Sequence, residues 1–146
     1  MTWNNAKSLC ETKGMSLPIV RNANENAQLL SKIGTTGRGI WLGLSDESME
    51  GHWKWTDGSS MSYSNWSPGE PNGNRGENMG NMWKGTGKWN DNPAGDSSIN
   101  VVCCPKSDEG MCYCLPCTHL VQPALPHCNM YSLRTPCFAY LVSVII

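Results

Sequence analysis

Between Gly69 and Asp91 the sequence reads GEPNGNRGENMGNMWKGTGKWND, a stretch of carboxylates and side-chain amides among turn residues, with almost no aliphatic side chain to build a core. Glu70, Asn72, Glu77, Asn90 and Asp91 are all oxygen donors. Hard cations such as calcium take six to eight oxygens from carboxylates, amide carbonyls and backbone carbonyls. Three acids and two amides leave such a site near charge balance once a cation is in. They also leave outward oxygens and NH2 groups able to bond a ligand's hydroxyls. A cis bond before Pro71 would turn the flanking carbonyls to one side. The bland alternative is a solvated hydrophilic loop.

Something must hold those donors in place. Thr2 reads as a helix N-cap, and Trp3, Ala6, Leu9 and Cys10 follow at the spacing of one buried face, closed by Gly14. A short apolar segment, Met15 to Val20, leads to Asn24 as cap of a second helix carrying Ala27, Leu29, Leu30 and Ile33, with Gly34 after it. Ile40 to Leu44 (IWLGL) is a continuous apolar run, a buried strand; HWKWT alternates Trp53 and Trp55, and Thr56–Gly58 is a turn. Ser64 to Lys88 is then a long aperiodic excursion, which inside a small domain calls for a functional or metal-bound explanation. Strand patterning returns at Ile99 to Cys103, where the Cys can reach back to Cys10. Trp41, Trp53, Trp55 and Trp66 are expected in the core.

Length and composition set outer limits. The 146 residues suit about one domain, and a net charge of −1 gives no general pull toward nucleic acid. Seven Trp against one Phe, with abundant Gly, Asn and Ser, favour a loop-rich domain of short strands. Eight Cys point to an oxidising compartment, but only Cys10 precedes Cys103, so the body reads as a domain with one long-range disulfide, followed by a different tail. That tail, residues 105–146, is rich in Cys and Pro without helix or strand period. Cys112, Cys114, Cys117, His119, His127 and Cys128 leave zinc, irregular disulfides or an ill-folded extension open, the last favoured. Phe138–Ile146 is apolar but far short of the roughly 20 residues that span a bilayer. The first residues show no signal peptide, and the sequence is read as starting inside the domain.

Taken in order, IWLGL, EPN at Glu70–Asn72, Glu77 and WND at Trp89–Asp91 resemble the motifs of a C-type lectin domain, over roughly Thr2 to Cys103. The resemblance implies an α+β C-type lectin-like fold over residues 1–104, with two short helices, small antiparallel sheets and a long calcium-binding loop. It implies that Glu70, Asn72, Glu77, Asn90 and Asp91 coordinate one Ca2+ and bond the vicinal hydroxyls of a mannose, fucose or N-acetylglucosamine residue. It further implies an auxiliary calcium site at Asp46, Glu50 and Asn78, for which surface acids of a turn are the plain alternative. Such a domain is secreted or extracellular and recognises mannose-type glycans in innate defence or cell adhesion. A calcium-independent lectin-like domain binding a protein ligand is the competing reading.

Two departures from the family stand out. Met79 and Ala94 occupy positions where it places a disulfide across the loop, so they are expected to pack together in a softer cradle. Its first strand, which pairs near Cys103, is not found. Trp83 could stack on a sugar face, while Asn74 and Arg75 read as a solvated tip. An enzyme is not expected: Glu70 and Glu77 could be drawn as a glycosidase pair, but a carboxylate held ionised on calcium cannot donate a proton.

Overall fold

The computed structural model describes residues 1–33, 37–106 and the backbone of 115–116. Helix α1 (Trp3–Thr12) buries Trp3, Ala6 and Cys10, while Leu9 is only half-buried. Thr2 stands at the N-cap, but its hydroxyl makes no capping bond; its carbonyl accepts from Ala6 N at 2.9 Å. Gly14, at φ +70°, ends the helix in the left-handed region, where a Cβ would be strained.

Helix α2 (Ala23–Leu30) starts earlier than the sequence suggests. Its cap is Asn22 rather than Asn24: Asn22 Oδ1 accepts from Glu25 N at 2.9 Å, and Glu25 Oε2 accepts from Arg21 N at 2.7 Å. This reciprocal arrangement satisfies two donors that Asn24 would leave open. The inward face carries Asn26 and Leu29, whereas Ala27 is exposed. Gly34 lies outside the described residues.

Two small antiparallel sheets complete the architecture. The first runs β1 (Met15–Ser16), β6 (Val102–Pro105), β7 (Leu115–Pro116); the second runs β3 (Lys54–Trp55), β2 (Gly39–Ser45), β4 (Met79–Trp83), β5 (Trp89–Asn92). Strand β2 is buried from Gly39 to Leu44, as a continuous apolar run requires. Ile40, Leu42 and Leu44 join Met82, Trp55 and Trp89 in one core, and Trp41 joins Trp3, Ala6, Cys10, Met79 and Ile99 in another. A disulfide ties α1 to β6 through Cys10 and Cys103.

Three sequence expectations are corrected here. The excursion from Ser64 to Lys88 contains a strand, β4, buried over Met79–Met82. Its sequence MGNMW lacks aliphatic alternation because Gly80 and Asn81 fill buried positions, so no period of two was legible. The stretch from Gly69 to Asp91 therefore does build core, through Met79, Met82 and Trp89. Regular pairing near the C-terminal Cys begins at Val102 rather than Ile99; Asn100 makes only an isolated parallel bridge to Ile40. Of the tail, Leu115–Pro116 pairs with Val102–Cys103, and the proposed zinc or disulfide ligands from Cys112 to Cys128 lie outside the described residues.

Candidate functional site

Register in the β4–β5 hairpin places Asp91 opposite Gly80 and Asn90 opposite Asn81. Asp91 is only 1% exposed. The segment before β4 folds over it. Trp66 is wedged between Trp53 and Trp89, at ring distances of 4.8 and 5.8 Å. Backbone bonds from Ser67 N to Trp89 O (2.8 Å) and from Trp89 N to Asn65 O (2.9 Å) then fix where the loop leaves β5. The Glu70–Pro71 bond is cis.

Asp91 is the anchor of the loop that follows. Its Oδ1 and Oδ2 accept from Asn72 N at 3.1 and 3.0 Å, and Oδ2 accepts from Gly73 N at 2.8 Å. Asn72 Nδ2 donates to Glu70 Oε1 at 2.9 Å. A single 3-10 turn, Asn74–Gly76, brings the chain back to Glu77, whose side chain lies so close to Gly73 that a methyl there would collide with Glu77 Cβ, Cγ and Oε2. Glycine is required by that approach. The structure thus gathers Glu70, Asn72, Glu77 and Asp91 around one loop, with Asn90 beside Asp91 and its Nδ2 donating to the Asp91 carbonyl.

The acids of this cluster repel one another. Burial, a hydrogen bond to Asp91 and the charges of Asp91 and Glu77 push Glu70 up to about 7, against a smaller opposing effect of the Asn72 backbone N–H. Glu77 is raised by burial and then by Asp91. Among the described residues the ion pairs are Lys7–Glu11 and Arg21–Asp57, both away from the cluster. Glu70 Oε2 is a buried acceptor with no donor. Buried polar atoms are nearly always partnered, so an orphan acceptor among uncompensated carboxylates is the surrounding a cation satisfies. No three His, Cys, Asp or Glu side chains among the described residues stand close enough to hold an ion by themselves. The amides are therefore part of any cation site, and both fit: Asn72 and Asn90 spend their NH2 groups on protein acceptors, leaving Oδ1 for a metal.

At the auxiliary position Asp46 is buried, and its Oδ2 closes a turn by accepting from Gly51 N at 2.8 Å. Burial raises its carboxyl, the Gly51 N–H lowers it, and the Asp91 charge adds a smaller upward push. Asp46 N donates to the Asn78 carbonyl at 3.2 Å, so these two adjoin; Asp46 Oδ1 and Asn78 Oδ1 are buried acceptors without donors. Glu50 sits exposed on the same turn.

Trp83 does not belong to the site. It ends β4 at the far side from Met79, and the Arg38 guanidinium lies 4.9 Å from its ring centre, so its role is packing. Asn74 and Arg75 are exposed at the loop tip. Sequence reasoning missed Asn26. Its Oδ1 accepts from the buried Trp89 Nε1 at 2.7 Å and its Nδ2 donates to Gly87 O at 3.1 Å, joining α2 to the turn and strand that carry Asn90 and Asp91. The signal was a polar residue three positions before Leu29 on the inward face of α2.

Comparison with known proteins places the fold that carries these residues. The Lectin C-type domain family matches residues 1–104. C-type lectin domain family 4 member G of Mus musculus is 38% identical over 116 residues, 77% of this chain and 37% of that protein. The mannose-binding protein of Gallus gallus is 37% identical over 97 residues, 66% of this chain and 37% of that protein. The matches thus span little more than a third of these two relatives. Among solved structures, the mouse scavenger receptor C-type lectin carbohydrate-recognition domain superposes with a TM-score of 0.60 at 32% identity, covering 65% of this chain and 73% of that one. A calcium-independent type II antifreeze protein gives a TM-score of 0.60 at 28% identity, covering 64% and 71%.

Proposed function

The chain belongs to the C-type lectin domain family, and on that footing we propose that residues 1–104 form a calcium-dependent glycan-binding module of the mannose, fucose or N-acetylglucosamine type, and not an enzyme. What carries the reading is the uncompensated cluster of Glu70, Glu77 and Asp91 with the Asn72 and Asn90 amides, including the buried, unpartnered Glu70 Oε2. Glu70, Asn72, Glu77, Asn90 and Asp91 would hold Ca2+, and the ion would supply a Lewis-acidic contact for vicinal hydroxyls. The chain's own part is orientation: Asp91 holds the backbone of Asn72 and Gly73, and the Asn72–Glu70 bond fixes the relative setting of amide and acid. That order of acid and amide is the proposed basis of mannose-type over galactose-type preference. Asp46, Glu50 and Asn78 are the proposed auxiliary ligands, with Asp46 and Asn78 contributing the two unpartnered oxygens. The Cys10–Cys103 disulfide and the family support an extracellular setting, with glycan recognition in defence or adhesion as its use.

The deciding experiment is binding to immobilised mannose-type glycans with calcium, with chelator, and in Asp91→Ala. Loss in both altered conditions is expected. The calcium-independent alternative draws on the antifreeze neighbour and on the lack of a three-group metal cluster among the described residues. Binding that survives chelation would overturn the calcium reading and favour the alternative. Within the calcium reading, Glu70→Gln with Asn72→Asp should move preference toward galactose.

A further inference from the structure

Asn72 and Gly73 form the one Asn-Gly pair of the chain. In such a pair the glycine nitrogen reaches the asparagine side chain without hindrance from a Cβ, over a backbone of wide conformational freedom. We propose that Asn72 is a site of spontaneous deamidation, held in check by the Asp91 carboxylate as long as the loop is docked on it.

The chemistry needs only water. Gly73 N loses its proton and attacks Asn72 Cγ; the N–Cγ bond forms, the Cγ–Nδ2 bond breaks, and ammonia leaves with that proton. Water then opens the five-membered imide. Cleavage at the side-chain carbonyl gives aspartate, and cleavage at the main-chain carbonyl gives isoaspartate, with one backbone carbon added. Asn72 is exposed, so water reaches it.

Both reacting ends are fixed by the fold. The nucleophile, Gly73 N, donates its proton to Asp91 Oδ2 at 2.8 Å. A donor bonded to a carboxylate is harder to deprotonate, and its direction toward Asp91 keeps it from Asn72 Cγ. The preceding amide, Asn72 N, is bonded to the same carboxylate, and the leaving group, Asn72 Nδ2, is bonded to Glu70 Oε1. Gly73 is also pressed against the Glu77 side chain, which limits the swing of the backbone needed for ring closure. Release of the loop from Asp91 removes the first two restraints together. The product places a fourth carboxylate beside Glu70, Glu77 and Asp91, which already repel one another. Its effect on ligand binding rests on the lectin reading above; the modification itself does not.

The test follows mass and isoaspartate content at Asn72 by peptide mapping, at mildly alkaline pH without calcium. It compares the folded parent, the parent unfolded in urea with its disulfide intact, and folded Asp91→Asn. Breaking a charge-assisted hydrogen bond first should slow the folded parent by on the order of tenfold or more relative to the unfolded chain, and Asp91→Asn should recover most of that difference. Amide exchange at Gly73 in the parent gives a second readout that does not depend on any variant folding, and protection is expected. Equal rates in folded and unfolded parent, no reaction at Asn72 in the unfolded chain, an Asp91→Asn rate no faster than the parent's, or an unprotected Gly73 amide would overturn the proposal. Adding calcium separates the two readings: a rate that calcium leaves unchanged counts against the cation site alone.

Discussion

Glu70 carries the clearest pH dependence. In the folded, calcium-free protein its carboxyl rises from 4.5 to about 7, chiefly by burial and then through Asp91 and Glu77. Through that interval the folded state keeps a proton that the unfolded chain has released, so the contribution of this group to stability is full below about pH 4.5 and is lost as pH rises through about 7. Calcium requires the ionised form, so its affinity runs the other way and should fall on acidification starting near neutrality. Carboxylates at their ordinary values, about 4 to 4.5, would release calcium only at lower pH; burial and neighbouring carboxylates move the onset upward. Chelator-treated protein should therefore melt higher at about pH 5 than at about pH 8 by a margin that Glu70→Gln reduces, and calcium titrations should weaken over the same range. A calcium affinity flat across that range would contradict the assignment of Glu70.

Among the elements, the contact between α2 and β5 has a testable energy. Asn26 is 6% exposed and satisfies both Trp89 Nε1 and Gly87 O. Asn26→Leu leaves Trp89 Nε1 unpaired in a buried place, which costs about 1–3 kcal/mol, while Gly87 O keeps its bond from Asn65 Nδ2 at 2.8 Å. Urea unfolding should show a loss of that order, whereas an unchanged midpoint would mean that water replaces the amide. The loop base offers a second case. Met79 begins β4 at 1% exposure, and Ala94 packs against the core cluster that contains it. Met79→Cys with Ala94→Cys should tighten calcium binding and protect the calcium-free loop from protease, provided the Cα atoms lie within about 4.4–6.8 Å. If the bridge forms and neither property changes, packing and the Asp91 anchor already order the loop.

For the molecule as a whole, the Cys10–Cys103 disulfide joins residues 93 apart and so closes nearly the entire lectin-like region. Replacing both Cys by Ala should lower stability by about 2–5 kcal/mol, read by chemical denaturation, since the unfolded chain regains the freedom that the long closed loop removed. A smaller loss would mean that the two cores and the sheet pairings fix α1 against β6 unaided. Much of the fold was legible in the chain: α1 from Trp3, Ala6 and Cys10, β2 from its unbroken apolar run, and the identities of the oxygen donors from Glu70 to Asp91. Those features are local, set by side-chain type and by spacing along one element. Tertiary structure alone decided that MGNMW is a buried strand, that Asn26 faces inward onto Trp89, that Trp83 lies under Arg38 away from the donors, and that Asp91 anchors the Asn72–Gly73 backbone. Each depends on strand register and on which groups lose water together, and those are fixed by residues far apart in sequence.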